Sequence, residues 1–138
     1  MSDLKLRAVV AGLLVDTAGT LVVALLLNAV VAVVTGATTP EDLATIFAGS
    51  VELQTVQLAL GIWMTLLGAY VAARMVPGAE RLHAFAVGVA STGLGFLFVF
   101  SAPEAAPFWM QAAGLILTIP AAYAGGEIRR ATATMKQP

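Results

Sequence analysis

Four stretches of this chain are predominantly apolar for twenty residues or more: AVVAGLLVDTAGTLVVALLLNAVVAVV (8–34), VELQTVQLALGIWMTLLGAYVAARM (51–75), LHAFAVGVASTGLGFLFVFS (82–101) and APFWMQAAGLILTIPAAYAGG (106–126). An α-helix needs about 20 such residues to cross a hydrocarbon core of about 30 Å. Only 11% of the 138 residues are charged and 59% are hydrophobic, whereas charged residues alone make up roughly a quarter of a soluble domain. The expected fold is therefore all-α, a polytopic membrane protein with one transmembrane domain over 1–138 and a bundle of four transmembrane helices.

A short basic leader precedes the first segment, as it does in a secretory signal peptide. Its apolar run outlasts the ~7–15 residues of a signal core and contains an acid, so it reads as a retained helix. The chain has no cysteine, which excludes disulfides, thiolate chemistry and cysteine metal sites.

Charge placement gives a topology. Lys5, Arg7, Arg74, Arg81, Arg129, Arg130 and Lys136 fall in the leader, the second-to-third loop and the tail, which four crossings put on one side. The other two loops carry only Glu41, Asp42, Glu52 and Glu104. The positive-inside rule then makes both termini cytoplasmic. Tyr70 and Tyr123 near the inner edge, with Phe108 and Trp109 near the outer one, sit where aromatic belts belong.

The first outer loop, TTPEDLATIFAGS, has a helix start of its own. Thr39 is placed as N-cap, Pro40 as first helical residue and Asp42 three residues after the cap, in the manner of a capping box. Leu43, Ile46 and Phe47 follow at i, i+3 and i+4. This predicts a short amphipathic helix near 40–48, lying on the outer surface or folded over the bundle as a lid.

The two halves of the chain also read as a tandem repeat of helical hairpins, approximately 5–75 and 81–129. KLRAVVAGLLVDTAGTLVV (5–23) aligns with RLHAFAVGVASTGLGFLFV (81–99), and GIWMTLLGAYVAAR (61–74) with GLILTIPAAYAGGE (114–127). Repeats of two crossings run parallel, about an axis along the membrane normal. Each segment carries a stripe of small or polar residues at helical spacing: Ala8, Gly12, Asp16, Gly19, Val23; Gln54, Gln57, Gly61, Thr65, Gly68, Ala72; Ala84, Gly88, Thr92, Gly95, Val99; and Gln111, Gly114, Thr118, Ala121, Gly125. Small residues at this spacing let backbones approach closely, so these faces are the expected packing faces.

Asp16 is the chemical anomaly. It lies nine residues beyond Arg7, roughly 13 Å along a helix, and no Lys or Arg is expected in any membrane interior to pair with it. A buried carboxylate without a counter-ion is protonated or held by hydrogen bonds. In one reading it ties the first helix to Thr92 or Ser91, which the repeat sets opposite. In the other it is a proton or cation site, the usual inference from an intramembrane acid. Either way it faces the bundle interior.

Gln54, Gln57 and Gln111 form an expected outer polar cluster, serving as interhelical glue or as a vestibule. Asn28 reads as a helix–helix hydrogen-bonding residue. His83 reads as an interfacial anchor, since one histidine builds no zinc site. Pro120 removes a backbone donor and is expected to kink the last helix. Neither a phosphate loop, a nucleophile elbow nor a His–Glu metal motif is present, so no catalytic residue, cofactor or metal is assigned. The few basic residues flank membrane segments, which argues against nucleic acid.

The stretch GAYVAARMVPGAERLHAFAVG (68–88), with a last segment ending PAAYAGGEIRR, resembles small four-helix bacterial inner-membrane proteins of uncharacterised function. That resemblance implies the bacterial inner membrane and supplies no catalytic residue. Separately, LVDTAGT (14–20) is similar to the first helix of small multidrug resistance transporters, in which an acid followed by Gly and Thr binds protons and cationic drugs. That likeness implies Asp16 as a coupling residue, with Asp where that family carries Glu. The resulting expectation is a non-enzymatic membrane protein that works by helix-mediated association or scaffolding, its partners being the bilayer and a second copy or another membrane protein. The alternative is a small proton- or cation-coupled transporter or channel using Asp16.

Overall fold

In a computed structural model that describes residues 4–135, the chain forms α1 (Leu6–Thr35), α2 (Pro40–Gly49), α3 (Val51–Arg74), α4 (Glu80–Ser101), a 3-10 turn (Pro103–Ala105) and α5 (Phe108–Thr134). The described residues contain no strand. Three helices, α1, α3 and α4, are long and apolar enough to cross a membrane. The apolar run of α5 is interrupted by Gln111, Thr118 and Pro120, and the helix continues past Gly126 to carry Glu127, Arg129 and Arg130. Lys136 lies outside the described residues.

Helix boundaries have local causes. α1 stops at Gly36, whose φ of 72° is the left-handed conformation that glycine adopts without strain, and whose N–H caps the Ala32 carbonyl. Gly78, with φ 87°, turns the chain from α3 into α4, and its N–H donates to the Glu80 carboxylate at 3.0 Å. α2 begins with the capping box read from the sequence: the Asp42 N–H donates to Thr39 Oγ1 at 3.1 Å, and Asp42 Oδ2 accepts the Thr39 N–H at 3.1 Å. α5 runs through Pro120 as one helix.

Packing centres on α3, which touches α1, α2, α4 and α5; α1 meets α3, α4 and α2 but not α5. The buried residues concentrate at the end of the bundle that carries Lys5, Arg7, Arg74 and Arg81, here called the basic end. Apart from Val9, His83 and Val87 those in the helices are small: Ala8 and Gly12 from α1, Gly68, Ala69, Ala72 and Ala73 from α3, Ala84 and Gly88 from α4, and Ala121, Ala122, Gly125 and Gly126 from α5. Removing side chains brings backbones into contact, which increases dispersion along the whole seam. A methyl group built on Gly12 would lie 2.6 Å from the Gly68 carbonyl oxygen, and one on Gly68 would meet the Gly12 carbonyl in return. Gly88 packs the same way on Ala122 (2.8 Å), Gly126 on Ala84 (2.6 Å) and Gly125 on the Leu66 carbonyl.

The glycines named as packing residues divide on this test. Gly19 closes on Met64 (2.7 Å) and Gly95 on Leu115 (3.0 Å), whereas a methyl on Gly114 would make only ordinary contact with Leu58 (3.7 Å) and one on Gly61 would meet nothing. Gly61 and Gly114 thus lie where the helices have begun to separate. Toward the opposite end α1 exposes Leu25, Leu26, Val30, Val33 and Val34 and buries only Val31. α2 half-buries Leu43, Ile46 and Phe47, and touches α1 and α3 but neither α4 nor α5. It is a surface helix at one side of the bundle and does not cover it.

Gly68→Ala is expected to destabilise the bundle by about 1–3 kcal/mol, the usual cost of overpacking, while Gly61→Ala leaves it unchanged; unfolding titrations in mixed micelles measure both. A second expectation concerns α2. The Thr38 N–H, followed by the Thr39 side chain and N–H, holds the Asp42 carboxyl below its ordinary value of 3.8. A lowered folded value means that the cap's contribution is present above 3.8 and is lost as pH falls through the folded value. The Thr38 and Thr39 amide NMR shifts should therefore titrate with a midpoint below 3.8, and a midpoint at or above it would refute the cap.

Candidate functional site

Asp16 follows Gly12 by one turn on the face that α1 presses against α3. Because Gly68 has no side chain, the α3 backbone comes so near that a methyl there would lie 3.0 Å from Asp16 Cβ. The acid is consequently carried into the interior and is only 6% exposed. Its Oδ1 accepts the Thr65 hydroxyl of α3 at 2.9 Å, and its Oδ2 accepts the Ser91 hydroxyl of α4. One carboxylate thereby joins three helices.

Of the two α4 hydroxyls expected opposite Asp16, Ser91 is the one brought to it. Thr92 turns away and donates to the Gly88 carbonyl of its own helix at 2.8 Å. The side chains sit 100° apart on the helix, and only one of two consecutive positions can face α1. Thr65 was visible as part of the α3 polar stripe, but nothing in the sequence matched its turn to that of Asp16. Its hydroxyl also lies 3.3 Å from the Gly61 carbonyl, so its proton is shared between backbone and acid.

One turn from this triad, toward the opposite end, a small cleft opens between α1 and α3. It is lined by Thr20, Ala24, Leu27, Gln57 and Gly61, among others. The missing side chain of Gly61 helps to make it. Asp16 is not part of its lining.

The three glutamines are not joined into one cluster. Gln54 is 4% exposed; its Nε2 donates to the Phe47 and Ala48 carbonyls at the end of α2, at 2.8 and 3.3 Å, and its Oε1 accepts the Trp109 indole N–H of α5 at 3.1 Å. Gln111 Nε2 donates to the Pro103 and Ala106 carbonyls at 2.7 and 2.6 Å. Gln57 lines the cleft. Two of the three thus donate to carbonyls where the chain turns: Gln54 at the end of α2, where the Phe47 carbonyl also accepts the Ser50 N–H, and Gln111 at the turn before α5.

His83 differs most from its sequence reading as an interfacial anchor. It is fully buried. Its Nε2 accepts the backbone N–H of Lys5 at 2.8 Å, so Nδ1 carries the proton and donates it to the Ala79 carbonyl at 2.8 Å. The ring caps the start of α1 from the first turn of α4. Nearby, Arg81 of α4 forms a two-pronged pair with Glu127 of α5, one prong at 3.3 Å, and lies over the Tyr123 ring at 6.0 Å. This pair is partly exposed and contributes little to stability.

Chemically the triad is a set of two hydroxyl donors on one acid. No three His, Asp or Glu side chains converge among the described residues. Comparison with protein-family models, curated proteins and solved structures finds no match to the chain.

Replacing Thr65 by Val or Ser91 by Ala removes one donor and leaves an Asp16 oxygen unpaired. Each change is expected to destabilise the bundle by about 1–2 kcal/mol. In an Asp16→Leu background the same changes should cost close to nothing, and a double-mutant cycle read by unfolding in micelles checks the coupling.

Proposed function

We propose that this chain is a non-enzymatic inner-membrane protein of the bacterial cell, with both termini cytoplasmic, that acts as an association or scaffolding module. It crosses four times as two tandem helical hairpins, α5 being the fourth crossing. α5 supports that reading by its length and by its close packing on α3 and α4 through Gly125 and Gly126. The tandem arrangement is supported by similar contacts: Gly12 of α1 meets Gly68 of α3, and its counterpart Gly88 of α4 meets Ala122 of α5, one position beyond the counterpart of Gly68. The topology rests on Lys5, Arg7, Arg74, Arg81, Arg129 and Arg130 all falling at one end of such an arrangement.

The observation that carries the scaffolding role is Asp16 itself, 6% exposed with each carboxylate oxygen accepting a hydroxyl from a different helix. An acid so held acts as a joint, and hydrogen bonds of this kind between membrane helices fix one arrangement against others. The second reading, proton or cation transport through Asp16 in the manner of the small multidrug resistance transporters, is favoured by the cleft that ends one turn away at Thr20 and Gly61.

Liposome flux separates the two. The association reading expects no proton or cation flux from wild type under any imposed gradient, and expects Asp16→Asn to lower stability only. Flux in wild type that Asp16→Asn abolishes, with the variant still folded, would establish transport and remove the association reading.

A further inference from the structure

At the basic end, the turn into α4 and the last turns of α5 enclose an open cleft of about 240 Å³, lined by Gly78, Ala79, Glu80, Arg81, Leu82 and Arg130. The charges around it do not balance. Arg81 and Arg130 share a single carboxylate, Glu127: Arg81 takes it with two prongs, while Arg130 Nε comes only to 3.9 Å from Oε2, beyond hydrogen-bond distance. Glu80, the other acid at the cleft, is turned back on the Gly78 N–H at 3.0 Å. Arg129, next along α5, has a buried Nε with no hydrogen-bond partner among the described residues. Three arginines against two carboxylates leave one positive charge uncompensated, and the guanidinium of Arg130 keeps its donors for another acceptor.

Position says what kind of anion meets this cleft. α4 is long and apolar enough to cross a membrane, and its first residues are Glu80, Arg81 and Leu82. The cleft therefore opens at the level of the lipid headgroups. Leu82, Phe85 and Val89 follow one another on α4 at steps of three and four, and all three are exposed, so an apolar track leads from the cleft toward the hydrocarbon. Phosphate oxygens suit the planar fork of arginine, and a phospholipid joins such a group to acyl chains that follow the track. Arg81 is held for this task by Glu127 on one side and the Tyr123 ring on the other.

We infer that this cleft binds the phosphate of a phospholipid of net negative charge, with Arg130 and the remaining N–H groups of Arg81 donating to its oxygens and Leu82, Phe85 and Val89 receiving an acyl chain. Basic pockets between membrane helices hold anionic headgroups in this way. The chemistry recognised is the phosphate, for which free phosphate is the other source. The inference goes beyond the association reading above and rests only on its placement of α4 and α5 across the bilayer.

The test uses full-length protein in maltoside micelles, titrated separately with dioleoyl phosphatidylglycerol, dioleoyl phosphatidylcholine and inorganic phosphate, while the Nε–H NMR signals of Arg81 and Arg130 are followed. Phosphatidylglycerol should move both signals to saturation, and phosphatidylcholine at the same concentration should move neither. An equal response to inorganic phosphate would keep the site and assign it to free phosphate. Arg130→Gln should weaken retention of phosphatidylglycerol in native mass spectrometry about 5-fold, with helicity unchanged. Arg7→Gln and Arg74→Gln remove the same charge at the same end but outside the cleft, and should leave retention within about twofold of wild type. Signals unmoved by all three additions, an equal response to phosphatidylcholine, or a loss in Arg7→Gln or Arg74→Gln as large as in Arg130→Gln would each overturn the site. Flux in the separate liposome assay would remove the association reading and leave this site standing, whereas a failed titration removes the site and leaves that reading.

Discussion

The rest of the structure depends on the contact of two backbones, those of α1 and α3 at Gly12 and Gly68. Lipid offers no hydrophobic force to hold helices together, so close approach must supply dispersion and short hydrogen bonds in its place. The same contact decides where Asp16 goes. With a side chain at Gly68, the acid would be displaced from the interior and from its two hydroxyl partners. Packing and polar chemistry are therefore one design at this level of the bundle.

From this point the molecule is graded along its length. At the basic end the helices are lined by Gly and Ala and meet backbone to backbone, and the largest side chains fully excluded from solvent are His83 and Val87. Beyond the Asp16 triad the interfaces are made by longer side chains such as Met64, Leu58 and Leu115, and contacts loosen. The far end is then held by amides: Gln54 gathers the end of α2, the start of α3 and Trp109 of α5. A tight joint at one end and a polar clasp at the other leave Leu14, Leu21 and Leu25 of α1 exposed, with no intramolecular task.

What could be read beforehand follows the range of the forces involved. The capping box of α2 involves Thr39, Pro40 and Asp42 alone, and was legible in full because each bond closes within four residues. The inward placement of Asp16 was legible because a charge in lipid has nowhere else to go. Its α4 partner was narrowed to two neighbouring hydroxyls, and the choice of Ser91 depended on a helix rotation that spacing does not supply. Thr65 belonged to a recognised stripe, yet its pairing needed the crossing point of α1 and α3. The role of His83 was not legible, since its partner is a backbone amide 78 residues away and no side-chain pattern records it. Likewise no pattern distinguished the open Gly61 from the closed Gly68, although both sit on the same stripe.

The bonds that complete α1 also impose an order in time. As the chain is synthesised from its N-terminus, α1 enters the bilayer first, with the Lys5 amide uncapped and Asp16 without either hydroxyl. Thr65 follows Asp16 by 49 residues and Ser91 follows it by 75, while the His83 ring follows Lys5 by 78 and so is made before Ser91. Until then the lipid supplies the acid with no donor. The polar groups of α1 are met only once α4 is in place, and those of α3 wait longer still, since Gln54 is completed by Trp109 of α5.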